Sequence, residues 1–65
     1  MKIGSVIKDI RKRKKITQTQ LAELSNITQT YLSQIENNQK EPTIQTIKSI
    51  AENLAIPLPV FIHGS

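Results

Sequence analysis

The sequence contains no cysteine, and this excludes disulfides, thiolate metal sites and thiol catalysis together while fitting a reducing compartment. A single histidine, His63, stands near the end of the chain, where a tail residue is expected rather than a metal ligand. No apolar run approaches the about 18 residues that a membrane span requires, and the first residues lack the apolar stretch of a secretory signal. A cytoplasmic location is the expectation. Internal repeats, low-complexity tracts and Gly/Ser linkers are also missing. There is no Gly-rich phosphate loop, no HxxxH pair and no carboxylate cluster; the remaining acids are Asp9 and four dispersed Glu. Catalysis needs titratable or nucleophilic groups that converge on one pocket. No enzyme, no cofactor and no metal ion is therefore expected.

What is present suffices for one small domain spanning 1–65. A domain of 65 residues and 7.3 kDa buries only about 60% of its unfolded surface, so packing alone must hold it. Ile, Leu, Val and Phe make up 19 of the 65 residues, above the roughly 20% typical of disordered chains. The net charge of +4 hides an asymmetry: residues 1–15 hold seven bases and one acid, whereas residues 16–65 hold two bases and four acids. The basic end comprises Lys2, Lys8, Arg11, Lys12, Arg13, Lys14 and Lys15. It suits a polyanion, although cations near a helix C-terminus also offset the macrodipole without any partner.

Apolar spacing predicts an all-α chain. Ile3, Val6, Ile7 and Ile10 recur at helical intervals and place one stripe on a first helix of about residues 3–14. Thr17 and Gln20 form a capping box that starts a second helix, with Ile16 and Leu21 placed to close a hydrophobic staple. That helix carries Leu21, Ala22 and Leu24 and ends near Ser25, where Asn26 tolerates the left-handed conformation. Thr28 is the expected N-cap of a third helix bearing Leu32 and Ile35, which ends at the left-handed-tolerant pair Asn37 and Asn38. Pro42 and Thr43 introduce a fourth helix with a stripe of Ile44, Ile47, Ile50, Ala51 and Leu54. Pro57 and Pro59 then break it. The result is a compact bundle of four or five helices, the fifth being a short turn in the apolar tail.

Within 17–37, Ala22, Asn26 and Leu32 meet the needs of two helices that cross after a short turn. The first helix must be narrow at the crossing, the turn must accept positive φ, and the second must drop a Leu into the angle. At this point the sequence resembles the helix-turn-helix domain of phage repressors and Cro, the bacterial Xre-type family. The resemblance spans nearly the whole chain: the helix with Ile7, Ile10 and Arg11, then "ITQTQLAELSNIT", "YLSQIENNQKEPT" and "IKSIAENL". Asn26 and Asn38 stand where that family usually has Gly, and Asn is the best substitute for a left-handed position.

The resemblance implies that the third helix lies in the major groove of duplex DNA. Gln29, Thr30, Ser33 and Gln34 leave its apolar face and are the candidates for base readout. Gln matches adenine N6/N7 in a bidentate contact, and Thr or Ser offers a hydroxyl. Thr17, Gln18, Thr19 and Thr28, at helix starts, together with Asn37 and Lys40 after the third helix, are the candidate phosphate contacts. The Tyr31 hydroxyl is a further candidate, against the alternative that its ring packs half-buried. Arg11 and Glu36 match an ion pair that holds the third helix in orientation.

The function so implied is a sequence-specific double-stranded DNA-binding regulator, a repressor, reading a palindromic operator as a homodimer. Successive apolar side chains of one turn cannot all face one core. Phe61 is expected inward, with Leu58, Val60 and Ile62 forming the dimer interface. The alternative is an antitoxin-like module whose tail, Val60 to Ile62, covers a protein partner while its helix-turn-helix autoregulates.

Overall fold

A computed structural model describes residues 3–54, and these form four α-helices: α1 (Ile3–Arg13), α2 (Gln18–Leu24), α3 (Gln29–Glu36) and α4 (Ile44–Asn53). The expectations for Leu58, Val60, Phe61, Ile62 and His63, and for a fifth helical turn, fall outside the described residues. Among the described residues there is no strand, and no helix is long and apolar enough to cross a membrane.

Three helices start in the same way. The hydroxyls of Thr17, Thr28 and Thr43 accept the backbone N–H groups of Gln20, Tyr31 and Thr46 at 3.0, 3.0 and 3.1 Å. Each bond satisfies one N–H that the helix itself cannot pair. At the first of these, Gln20 Oε1 accepts the Thr17 N–H at 2.9 Å, which completes the capping box.

Three helices also stop in the same way. After α1, the Ile16 N–H reaches back to the Arg11 carbonyl and the Lys15 N–H to that of Lys12. After α2, Ile27 bonds to Ala22 and Asn26 to Glu23; after α3, Gln39 bonds to Gln34 and Asn38 to Ile35. This paired pattern is the Schellman motif, which requires a left-handed residue between helix and exit. Lys15, Asn26 and Asn38 supply it, with φ of 58°, 58° and 60°. Asn26 behaves as the sequence suggests. Of the pair Asn37 and Asn38, only Asn38 is left-handed, and Asn37 caps α3 with φ of −90°. Lys15 has no local preference for this conformation. The half-buried Ile16 and Ile27 that follow Lys15 and Asn26 pack on the core, and this drives the turns.

The core consists of Ile3, Ile7, Leu21, Ala22, Leu32, Ile35, Ile47, Ile50, Ala51 and Leu54. Four residues of the expected stripes are not in it: Val6 and Ile10 are partly buried and pack against it, whereas Leu24 is 59% exposed and Ile44 is 65% exposed. The buried arc of α2 runs through Leu21, Ala22 and Ser25, and at about 100° per residue Leu24 falls on the side of Leu21 away from that arc. Ile44 is the first residue of α4. Helical side chains lean toward the N-terminus, so this one projects past the core that Ile47 enters a turn later.

Helix α3 packs against both α1 and α2, and α2 also packs on α4. Gly4 sets the closeness of α1 and α3, since a Cβ there would run into the Ile35 carbonyl oxygen and come within 2.9 Å of Asn38 Oδ1. The end of α2 is tied to α4 by polar bonds: Asn53 Nδ2 donates to the Leu24 carbonyl at 3.0 Å and Ser49 Oγ to the Ser25 carbonyl at 3.3 Å. With α1 and α2 behind it, α3 keeps its remaining face at the surface.

Candidate nucleic-acid interface

The base of the site is a buried ion pair. Arg11 on α1 and Glu36 at the end of α3 have side-chain exposures of 10% and 1%. Arg11 Nε and Nη2 donate to Glu36 Oε2 and Oε1 at 2.8 and 3.0 Å, a bidentate geometry. Its remaining nitrogen, Nη1, donates to the Ile16 carbonyl at 3.0 Å. One guanidinium thus joins α1, the turn before α2 and the end of α3. Among the described residues, no buried side-chain nitrogen or oxygen lacks a partner.

The polar network continues outward from this base. Gln18, the first residue of α2, donates from Nε2 to Glu36 Oε1 at 3.2 Å and accepts at Oε1 from Gln29 Nε2 at 3.2 Å. The two glutamines that begin α2 and α3 are thereby coupled. Gln18 stands as a candidate for phosphate contact, and its amide in addition touches a candidate for base readout.

Gln29, Thr30, Ser33 and Gln34 are brought together around one shallow depression, with Gln18 on its rim. Gln29 and Thr30 are exposed, and Ser33 and Gln34 are half-buried. Gln39 lines the same depression and was missed in the sequence. Its only signal was its place after the left-handed Asn38, which turns the chain back toward the α3 face. No charged side chain lines this hollow, so its chemistry is that of amides and hydroxyls.

The remaining candidates are distributed around it. Thr17, Thr19 and Thr28 are exposed; the hydroxyls of Thr17 and Thr28 accept from the backbone, which leaves each O–H as a donor. Asn37 does not join the depression. It lines a second hollow with Ser5, Lys8, Asp9, Lys12, Glu36 and Asn38, so two lysines of the basic N-terminal segment stand beside it. Lys40 is exposed, whereas Tyr31 is half-buried and packs against the core. Among the described residues no cluster of His, Asp and Glu could hold a metal ion.

A helix-turn-helix family model matches residues 7–61. The chain belongs to the helix-turn-helix family. Among helix-turn-helix relatives, the immunity repressor protein of Bacillus phage phi105 is 39% identical over 62 residues, which is 95% of this chain and 43% of the repressor. The chain therefore spans less than half the length of that protein. Among solved structures, the restriction-modification controller protein C.Esp1396I is 40% identical with a TM-score of 0.87, covering 97% of this chain and 82% of that one. The biofilm master regulator SinR, solved in complex with DNA, is 33% identical with a TM-score of 0.85, covering 92% of this chain and 97% of that one. Helices α2 and α3 are joined by the turn at Asn26.

Proposed function

We propose that this chain is the DNA-reading part of a transcription regulator acting as a repressor. A regulatory rather than an enzymatic role agrees with relatives that are a phage immunity repressor, a restriction-modification controller and a DNA-bound regulator. The observation that carries the reading is the uncharged face of α3, held at the surface by a buried ion pair and presenting donors and acceptors around one hollow. Amide and hydroxyl groups at that spacing suit base edges in the major groove.

In this reading Gln29, Thr30, Ser33 and Gln34 address bases. Thr17, Gln18, Thr19, Thr28, Asn37 and Lys40 meet phosphates on either side, and Tyr31 serves the core. One recognition helix reads only a few base pairs, so a homodimer on a palindromic operator, with half-sites about 10 bp apart or a multiple of that, supplies adequate specificity. Leu58, Val60 and Ile62 are the proposed dimer contacts.

Selection of bound sequences from random duplex DNA tests this directly. A palindromic consensus with that spacing is expected, whereas recovery of unselected sequence would overturn the reading. Sedimentation of Val60→Asp tests the dimer: a folded monomer is expected, and a variant that still dimerises moves the interface elsewhere.

A further inference from the structure

Helix α2 carries a second exposed face. Gln20, Glu23 and Leu24 recur at helical spacing and share one side of the helix, and with Lys15 and Ile16 of the preceding turn they line an open hollow. None of these residues lines the depression on α3, so the two can be occupied at once. The apolar part of the hollow is Ile16, which is half-buried, and Leu24, which leaves 59% of its surface in water. Its charged part has both signs. Lys15 stands on the turn and Glu23 on the helix, both exposed, and among the described residues neither takes part in an ion pair.

We propose that this face is a two-fold symmetric contact between two copies of the chain, which links neighbouring molecules bound on one duplex. This rests on the DNA-reading role above. In an isologous contact the same patch serves on both sides and must be complementary to itself. With the turn of one copy laid over α2 of the other, Lys15 of each copy meets Glu23 of the second, and both Leu24 side chains lose water. A patch with one sign of charge would repel its own image. The contact is weak: the hollow has five lining residues, against the roughly 20–30 a side of a stable interface, and a net charge of +4 keeps free copies apart. Duplex DNA removes both obstacles. Its phosphates neutralise the charge, and two molecules held on adjacent sites meet at an effective concentration on the order of millimolar. Leu58, Val60 and Ile62, proposed for the dimer, have no part in this contact, which therefore acts between dimers rather than within one.

The test compares duplexes that carry one or two copies of the sequence recovered by selection. Where the spacing between the two sites is a whole number of helical turns, about 10 bp each, filling one site should raise wild-type affinity for the other by about 5- to 150-fold, the usual range of coupling between sites. An added half turn puts the two molecules on opposite sides of the duplex and should abolish the gain. Leu24→Ser removes the apolar contact, and Lys15→Glu and Glu23→Lys each set like charges opposite one another; all three should lose the gain. Lys15→Glu/Glu23→Lys exchanges the two charges and should regain it. Binding to the single site reports that each variant is folded, and because the gain is a ratio to that binding, a general effect of charge on DNA affinity cancels. A wild type that fills two sites independently at every spacing would overturn the proposal and leave the DNA-reading role standing. A gain that persists in Leu24→Ser and in both charge reversals, or an exchange variant that fails to regain it, would also overturn the proposal. A wild type that binds no duplex DNA overturns the DNA-reading role and the contact with it.

Discussion

Gly4 and Lys15 show how single residues depart from their ordinary propensities. In a helix interior, Gly→Ala normally gains about 1 kcal/mol. At Gly4 the sign should reverse, because the obstacle is the backbone carbonyl of Ile35, which cannot rotate aside as a side chain would. Overpacking of this kind costs about 1–3 kcal/mol, so Gly4→Ala should lower the Tm by several degrees in a thermal melt. Lys15 presents the opposite case. It holds a φ of 58°, a conformation that costs a residue with a Cβ about 1–2 kcal/mol. Glycine removes that cost and adds roughly 0.5–1 kcal/mol of backbone entropy. Lys15→Gly should therefore stabilise by about 0.5–1 kcal/mol in urea unfolding, and a loss of stability would show that the Lys15 side chain has a favourable contact. Asn26→Gly should gain less, since Asn already tolerates the left-handed region.

At the level of elements, each helix is delimited by its own ends rather than by its length. Helices of 7, 8 and 10 residues, as α2, α3 and α4 are, are too short to persist in isolation, which raises the importance of their caps. Thr43 lies outside the candidate interface and tests the cap alone. Thr43→Ala should cost about 1 kcal/mol in thermal or urea unfolding, without altering the ranking of bound DNA sequences. The starts of α2 and α3 were legible in the sequence because threonine at an N-cap acts locally, and the capping box at Thr17 and Gln20 is read from two residues. The end of α1 was not legible to the same degree. Its left-handed residue is a lysine, imposed by the burial of Ile16 rather than by any preference of Lys15.

On the scale of the whole molecule, charge among the described residues stands apart from the hollow proposed for base readout. The depression on α3 is uncharged, while Lys8 and Lys12 stand beside Asn37 on the α1 side. In the proposed function these lysines add phosphate attraction away from the base-reading hollow, whose rim itself carries the phosphate candidate Gln18. Duplex binding should fall steeply with salt, with a slope in log–log form of about −0.9 for each phosphate neutralised. Replacing Lys8 and Lys12 by Gln should make that slope shallower by roughly 1–2 and leave sequence preference intact. Titrations at several ionic strengths check both, and a flat dependence in the wild type would speak for a protein partner instead.

The sequence by itself determined the four helices, their threonine starts, the asparagine turn and the polar set Gln29, Thr30, Ser33 and Gln34, because periodicity and capping are local properties carried by neighbouring residues. It also paired Arg11 with Glu36 through family resemblance, 25 positions apart. Only the tertiary structure decided that Leu24 and Ile44 stay outside the core, that Gly4 meets the carbonyl of Ile35, and that Gln39 joins the α3 face while Asn37 stands beside Lys8 and Lys12. Above all, it decided that Gln18 lies between Glu36 and Gln29. Each of these depends on how close and at what rotation two helices settle, and that is fixed by the packing of side chains from distant parts of the chain, not by the pattern within either helix.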